Sequence, residues 1–408
     1  MAAVRQAGGL HPLHHLWRVF PPRGRRRLVV GATALLAPRP DRLPPPAACG
    51  VAVAGELSRN SGLGEVARLM LAGLDHLGVQ SWGLDLGTAI SGRPDRPTLP
   101  PPGAPLLLHV NAPFLPLALL RLPRAALRGR RVIGYWAWEL PSVPPDWRAG
   151  VPFVHEVWAL SSFTAHALEP LLPTRVRVVT PPVAAAPPRP SALDRAAFAL
   201  PEAAVIVLVS FSLASSLERK NPLAAIAAFR AAFGTRSDRF LLLKIGSPDD
   251  FPADFARIRA AVADSRNIRL ETRDLPVRDS HALTQCADIV LSMHRSEGFG
   301  LVPAEAMLLG KPVIATGWSG NTDFMDEESS ALIGYRLVPA RDPRGVFEAP
   351  GAVWAEPDLD DAVARLRELA DDVGARTGMG ARARIAATDR LGTASLGRAL
   401  RAIGMPLP

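Results

Sequence analysis

Cysteine, lysine and long hydrophobic runs are scarce in this 408-residue chain. Its two cysteines, Cys49 and Cys286, are too few for a disulfide framework or a four-cysteine zinc site, which favours a reducing compartment. The apolar run Leu28–Ala37 has only about half of the ~20 residues that a membrane-spanning helix needs. It follows the basic run Arg23–Arg27, but Pro38–Pro46 breaks it before any signal-peptide cleavage site. These features exclude a disulfide-framed miniprotein and predict a cytoplasmic chain.

Basic residues outnumber acidic ones by 47 to 38, and the only lysines are Lys220, Lys244 and Lys311. Apart from Arg23–Arg27, the basic residues are interspersed with acidic ones. Together with 41 prolines, this arginine excess is more typical of a coding bias than of a binding surface, so we predict no nucleic-acid partner. The basic first forty residues suggest a peripheral contact with the inner face of a membrane.

The order of apolar and polar segments predicts two α/β domains. Strands that alternate with helices indicate a parallel sheet in each domain, and two such domains form a cleft in which small-molecule sites are common. The predicted parts are a basic Pro-rich extension with at most a short helix (1–49), a first domain (50–182), a linker (183–203), a second domain (204–390) and a C-terminal tail or helix (391–408). The predicted strands are Gly50–Ala54, Leu106–Val110, Arg131–Tyr135, Glu156–Leu160, Val176–Val179, Ala204–Ser210, Phe240–Ile245, Ile268–Glu271, Asp288–Met293 and Pro312–Thr316.

The most informative stretch joins the predicted strand Asp288–Met293 to a helix that begins near Pro303. A glycine-flanked loop that leads directly into a helix is typical of an anion site, because free amides at the helix start point at the ligand. Glu297 lies in this loop, where its carboxylate faces whatever the amides bind. Glu305 lies one turn inside the helix, where it either joins the site or only complements the helix dipole.

This stretch resembles the E-x7-E motif of retaining glycosyltransferases with the GT-B fold, most closely family 4. The resemblance is strong over residues 200–360, looser over 50–182 and absent from the first forty-odd residues. It implies two Rossmann-like domains that face an interdomain cleft and bind a nucleotide-diphosphate sugar. The matching segments are Glu297–Leu301, Ala304–Met307, Gly310–Thr316, Gly317–Asn321 and Trp354–Asp358.

The resemblance also implies roles for single residues. Glu297 would be the catalytic residue beside the transferred sugar, and Glu305 would hold the ribose hydroxyls of the donor. Fixed cations and amide dipoles can stabilise the departing diphosphate, so no metal or other cofactor is expected. The amides that would contact sugar and diphosphate are those of Gly298, Phe299, Gly300 and Leu301.

Lys220 is the predicted cation for the diphosphate, because a lysine ammonium is a point charge suited to phosphate. The alternative is a solvated lysine near a helix start. The family usually has an arginine about six residues earlier, where this chain has Leu213-Ala214-Ser215. Arg219 is therefore the candidate for the second phosphate contact.

In the first domain, Gly62 and Gly64 resemble the family's glycine-rich loop, which approaches the donor phosphates and the acceptor. Their spacing to Ala67 and Asp85 also approximates a dinucleotide fingerprint. However, the glycines follow their strand only after a seven-residue loop, which disfavours an NAD enzyme.

A histidine that the family often has after a central strand of the first domain is missing from this chain. Trp136, Trp138 and Glu139 are the acceptor-side candidates in its place, although the two tryptophans are equally well explained as core residues. We interpret His109, at another strand end, as structural.

The predicted activity is therefore retaining transfer of a hexose, with mannose as first choice, to a saccharide or lipid-linked saccharide in cell-surface polysaccharide biosynthesis. One alternative is a non-catalytic nucleotide-sugar-binding scaffold of the same fold, which the intact pair Glu297 and Glu305 disfavours. The other is a nucleotide-sugar epimerase, which would need more acid and base groups in the first domain.

Overall fold

The computed structural model of the chain describes residues 22–59, 61–87, 99–347, 349 and 351–408. Two α/β domains follow one another along it, each built on a six-stranded parallel sheet. Among the described helices, none combines the length and the apolar character that crossing a bilayer requires.

The first sheet has the strand order β2-β1-β3-β4-β5-β6. Its three central strands β1, β3 and β4 are buried along their whole length, because a parallel sheet is covered on both faces and needs continuous apolar strands. The strands of this sheet are β1 (Val51–Gly55), β2 (Ser81–Asp85), β3 (Leu106–Leu108), β4 (Val132–Trp136), β5 (Glu156–Ala159) and β6 (Val176–Val178). The α-helices of the domain are α1 (Pro22–Leu36), α2 (Gly62–His76), α3 (Leu115–Leu119) and α4 (Ser162–Leu168).

The second sheet has the order β12-β11-β10-β7-β8-β9. Its first strand β7 pairs with both β8 and β10. Strands β8 and β9 therefore lie on one side of β7, and strands β10 to β12 lie on the other side. The strands are β7 (Val205–Ser212), β8 (Arg239–Gly246), β9 (Ile268–Glu271), β10 (Ile289–Ser292), β11 (Val313–Thr316) and β12 (Ala331–Ile333). Their connecting helices are α5 (Leu217–Lys220), α6 (Pro222–Phe233), α7 (Pro252–Val262), α8 (Val277–Cys286) and α9 (Leu301–Leu308).

An antiparallel hairpin and three helices complete the chain. The hairpin strands are β13 (Tyr335–Pro339) and β14 (Val353–Pro357). Helix α12 returns to the first domain, where Ser395 Oγ accepts a hydrogen bond from Thr180 N at 3.2 Å and donates one to Val178 O at 3.3 Å. The three helices are α10 (Leu359–Asp371), α11 (Val373–Arg390) and α12 (Ala394–Ala402).

The described part of the predicted N-terminal extension is folded onto the first domain. Helix α1 has 15 residues, more than the short helix expected, and it packs against α3 and the 3-10 helix Pro145–Phe153. After α1, the carboxylate of Asp41 accepts a hydrogen bond from Gly129 N at 2.8 Å, and the Asp41 carbonyl lies 2.8 Å from His155 Nε2. Residues 22–49 therefore extend the first domain instead of preceding it.

Candidate active site

A cavity of about 480 Å³ lies between the two sheets. Its walls are the loops that follow β1, β3 and β4 in the first domain and β7 and β10 in the second. In open parallel sheets, ligands bind at the carboxyl ends of the strands where the strand order reverses, and the β7–β10 boundary is such a point. The first-domain wall includes Glu56, Ser61, Gly62, Asn111 and Glu139, and the second-domain wall includes Ser215, Arg219, Lys220, Glu297, Gly298 and Gly300.

Glu297 is held between two cations at this wall. Its carboxylate accepts hydrogen bonds from Arg219 Nη1 at 3.0 Å and from Lys220 Nζ. Burial alone raises the pKa of this carboxyl, but Lys220 and then Arg219 outweigh it and lower the pKa of Glu297 to about 2. The glutamate is therefore a carboxylate at neutral pH. The structure thus brings together three of the four charged second-domain residues that the sequence singled out, and Glu305 is the fourth.

Backbone geometry places the two cations. Ser216 has a φ of 75°, unusual for a residue other than glycine, and its Oγ accepts a hydrogen bond from Arg219 N at 3.4 Å. Asn221 ends α5 in the left-handed region with a φ of 53°, and Pro222 then begins α6. This tight double turn aims Arg219 and Lys220 back toward the loop after β10, and such strain is typical of functional sites.

The loop that carries Glu297 is fixed by a second loop of the same domain. Ser319 Oγ accepts a hydrogen bond from Glu297 N at 2.8 Å, and Gly320 N donates to Glu297 O at 2.9 Å. A side chain at position 320 would collide with the carbonyl of Gly298, so a glycine is needed there. Gly300 caps α9 with a φ of 101°. The loop is thus in a single conformation, with the start of α9 facing the cavity.

Several hydrogen bonds tie this loop to the first domain. Ser161 Oγ donates to Gly298 O at 2.6 Å, and Ser296 Oγ donates to the carbonyl of Glu139. Asp323 accepts a hydrogen bond from Ser162 N at 2.6 Å, at the start of α4. The two domains are therefore closed around residues 296–298. The sequence did not single out Ser161 or Asp323, because a contact across 161 residues leaves no local pattern.

Arg219 contacts several groups besides Glu297. Its Nη1 also donates to Ser296 O at 2.7 Å, and its Nη2 lies 3.8 Å from the carboxylate of Glu139. Its guanidinium lies 5.0 Å from the centroid of the Phe347 ring, which in turn contacts Trp138 of the first domain. Phe347 was missed by sequence reasoning, since it lies in the connection between β13 and β14, outside any motif.

Glu305 behaves differently from Glu297. It lies on α9 one turn beyond Leu301 and does not line the cavity, whereas Leu301, Val302 and Pro303 do. Burial and then the nearby carboxylate of Glu65 raise the pKa of Glu305 to about 8. In this structure the sequence-predicted ribose contact is thus a carboxyl that stays protonated at neutral pH.

The glycine-rich start of α2 forms part of the opposite wall. Gly62 lines the cavity, and Gly64 packs so that a Cβ would lie 2.5 Å from Glu56 O. Ser61 caps the helix by accepting a hydrogen bond from Gly64 N at 3.1 Å. Glu56 lines the cavity directly after β1, and the carboxyl end of a strand was the signal that could have identified it.

Of the three acceptor-side candidates, Glu139 lines the cavity, whereas Trp136 and Trp138 do not. Both indoles are buried in the first-domain core, Trp136 completely, and each makes an edge contact with Trp147. Trp138 Nε1 donates to Ser142 O at 2.8 Å. Their faces are covered by protein, so neither can stack on a sugar.

His109 is buried and stacks on Tyr135 with ring centroids 4.5 Å apart, and burial lowers its pKa to about 3. This packing supports the structural role expected for it.

Within the described residues there is no group of three or more His, Cys, Asp and Glu side chains that could hold a metal ion.

Comparison with known structures defines the class of fold. A glycosyltransferase from Rickettsia africae is 12% identical with a TM-score of 0.60, over 88% of this chain and 98% of that one. Anabaena HepE, in complex with UDP and glucose, is 11% identical with a TM-score of 0.60, over 87% of this chain and 98% of that one. The predicted GT-B fold, with two Rossmann-like domains facing a cleft, is confirmed.

The sequence comparisons are confined to part of the chain. Residues 205–355 match the family described as Glycosyl transferases group 1. The D-inositol 3-phosphate glycosyltransferase of Jonesia denitrificans is 33% identical over 191 residues, which is 44% of this chain and 43% of that protein. The enzyme of the same name from Saccharomonospora viridis is 31% identical over 199 residues, 47% of this chain and 45% of that protein. The matched region thus spans less than half the length of these curated relatives.

Proposed function

We propose that this chain is a retaining, family 4-like glycosyltransferase that moves a hexose from a nucleotide-diphosphate sugar to a saccharide or lipid-linked saccharide acceptor. The match of residues 205–355 to group 1 glycosyl transferases supports the reaction class. We place it in the cytoplasm, in cell-surface polysaccharide biosynthesis.

The ionised carboxylate of Glu297 is the observation that carries this proposal. It lies in the cleft wall beside two cations and next to the amides of residues 298–301, which lead into the start of α9. Departure of the diphosphate leaves negative charge where Lys220, Arg219 and the amides are, and positive charge at the anomeric carbon near Glu297. Groups fixed in advance at both developing charges lower the barrier.

The donor is proposed from the same wall. The diphosphate would lie against Lys220 and the start of α9, and Glu305 would turn to the ribose hydroxyls. GDP-mannose is the first donor to test. UDP-glucose is the second, because a neighbour of the same fold, HepE, was solved with that molecule. D-inositol 3-phosphate belongs in the acceptor panel, because the curated relatives are named for it.

A donor screen by thermal stabilisation tests binding, because a ligand at 100 times its Kd stabilises the folded protein by about 2.7 kcal/mol. The bound donor is then incubated with the acceptor panel, and NMR of the product's anomeric proton distinguishes retention from inversion. We expect retention, and turnover that survives excess EDTA. Inversion, or loss of turnover in EDTA that Mg²⁺ restores, would contradict the mechanism.

A second candidate is a non-catalytic nucleotide-sugar-binding protein. It is favoured by one observation: Lys220 and Arg219 both direct hydrogen bonds at Glu297, so neither cation is uncommitted. This candidate predicts that a donor stabilises the protein and is neither transferred nor hydrolysed. Transfer of the sugar to any acceptor would show that the protein is an enzyme and would exclude this second candidate.

A further inference from the structure

Helix α1 carries apolar residues on two faces. Val30, within α1, and Ala37, directly after it, are buried against the first domain. On the outer side, Leu28 is 52% exposed, Leu35 86% and Leu36 70%. A surface helix normally has polar residues on the face that points away from the core. The outer face of α1 is therefore an apolar surface that the first domain does not cover.

Neighbouring segments extend this surface. Leu43, in the loop after α1, is 78% exposed, and Leu120, which follows α3, is 41% exposed. Helix α1 packs against α3, so these side chains belong to the same region of the first domain. We call Leu28, Leu35, Leu36, Leu43 and Leu120 the α1 surface. Exposed apolar side chains that are gathered in one region of a domain mark an interaction site.

Basic residues outnumber acidic ones around the α1 surface, where the 3-10 helix that α1 contacts also carries Asp146. Among the described residues from 28 to 45, the only acidic one is Asp41, and its carboxylate accepts the hydrogen bond from Gly129 N. Exposed arginines follow α1 and lie in the segments around α3 and the 3-10 helix that α1 contacts: Arg39, Arg42, Arg124, Arg128 and Arg148.

We propose that the α1 surface docks on an anionic lipid bilayer. Exposed leucines surrounded by arginines are complementary to a surface with an apolar interior and negatively charged headgroups. A helix of 15 residues is about 22 Å long, so α1 would lie in the plane of the headgroups. This orientation places the first domain next to the membrane. The docking itself does not depend on the proposed reaction.

Flotation of the full chain with vesicles tests this inference. The vesicles are phosphatidylcholine alone or phosphatidylcholine with 30% phosphatidylglycerol, each at low and high salt. The test variant is Leu35→Gln with Leu36→Gln. The matched control is Val373→Gln with Ile385→Gln, because these two side chains are 61% and 71% exposed on α11 of the second domain. A third variant, Arg39→Gln with Arg42→Gln, tests the charges.

We expect the wild type to float with the anionic vesicles and to be released by salt. The Leu35/Leu36 variant should bind about tenfold or more weakly. The arginine variant should lose about fivefold for each charge removed. The control variant should bind as the wild type does. All variants should melt like the wild type, since exposed substitutions change stability little.

Three results would overturn the proposal. The first is a wild type that stays unbound with anionic vesicles. The second is an equal loss of binding in the leucine variant and the control variant. The third is a wild-type dimer, seen by sedimentation, that Leu35→Gln with Leu36→Gln dissociates while vesicle binding is unchanged. That result would assign the surface to a second copy of the chain.

Discussion

The two walls of the cleft differ in how completely their polar groups are bound. On the second-domain wall, Glu297 has its amide, its carbonyl and both carboxylate oxygens in hydrogen bonds within the same domain. On the first-domain wall, Glu56 bonds to Arg59 at 2.8 Å and to Ser61 Oγ at 3.1 Å, within its own loop. Glu139 is 3.8 Å from Arg219. One wall is prebuilt around a buried charge, whereas the Glu56–Arg59 pair of the other wall is more exposed to solvent.

This difference matches the reach of the sequence similarity. The match to group 1 glycosyl transferases covers residues 205–355, which contain the second-domain wall and none of the first. Under the proposed function, the second-domain wall would activate the donor. The first-domain wall would then determine which acceptor is used. Substitutions in the two walls test this division.

Replacing Glu297 by Gln should have the largest effect. The substitution keeps the size of the side chain and removes the charge that faces the anomeric carbon in the proposed transition state. Loss of one fixed electrostatic group typically lowers the rate by about 10²–10³, whereas ground-state binding changes little. Steady-state kinetics should show this fall in kcat, and calorimetry should give a donor Kd close to that of the wild type.

Glu271→Gln is the matched control. Glu271 is buried to the same extent as Glu297 and is also paired with an arginine, Arg273 at 2.6 Å, but it lies in β9 away from the cavity. It should share any cost in stability and keep its kcat. Equal kcat in wild type and Glu297→Gln would remove Glu297 from the chemistry and leave the binding-protein alternative.

Replacing Lys220 by Ala should weaken donor binding by about 10–100-fold, because a hydrogen bond to a charged group contributes about 1.5–3 kcal/mol. It should also raise the pKa of Glu297, since Lys220 is the largest opposing charge. The acid limb of the pH–rate profile would then move to higher pH. Lys311→Ala, outside the cavity, is the control. An unchanged donor Kd would leave Lys220 as a partner of Glu297 alone.

The sequence predicted the second-domain wall well for a physical reason. The β10–loop–α9 segment is local, so glycines, the helix start and Glu297 lie within a dozen residues and can be interpreted together. Strand β9 was predicted with the bounds that the structure has, because it is a clear apolar pattern between turn residues. In contrast, β2 was missed, since the half-exposed edge strand Ser81–Asp85 has no apolar run.

The first-domain wall could not be predicted in the same way. Whether Trp138 packs inward depends on Trp147 and on Phe347, which arrives from the second domain. Such contacts join distant parts of the chain and leave no spacing to recognise. Helix α1 was underestimated because the basic, Pro-rich composition of residues 1–49 is typical of an extension, whereas its packing against α3 is a tertiary effect.

The raised pKa of Glu305 allows a pH test of its predicted contact with the donor. Its pKa is raised to about 8, so the folded protein prefers the protonated carboxyl. The stability contributed by this proton is complete below the ordinary glutamate pKa of 4.5 and is lost as the pH rises through 8. Glu305→Gln should therefore melt with the wild type at pH 4.5. At pH 9 it should be more stable by several kcal/mol, because a pKa raised from 4.5 to about 8 corresponds to roughly 5 kcal/mol, and its melting temperature should exceed that of the wild type.

Donor affinity should respond in the opposite sense if the Glu305 carboxylate accepts the ribose hydroxyls. Binding would then favour the ionised form, so the wild-type Kd should fall by about tenfold between pH 7 and pH 9. Glu305→Gln should show no such change. Glu65→Gln, which removes the neighbouring carboxylate, should move the transition to lower pH. A pH-independent Kd in the wild type would make Glu305 a structural residue of α9.

The smallest effect on activity is expected for Trp138→Phe, next to Glu139 in the first-domain wall. Because Trp138 is buried, the change should cost stability, about 1–2 kcal/mol for the hydrogen bond from its indole to Ser142 O. Acceptor KM should stay within about twofold of the wild-type value, as expected for a residue that touches no ligand. Glu139→Gln, one residue further and exposed to the cavity, should raise acceptor KM without changing donor Kd. If Trp138→Phe raised acceptor KM and Glu139→Gln did not, the acceptor would contact the tryptophan after a rearrangement of the first domain, and the division of labour between the walls would need a different boundary.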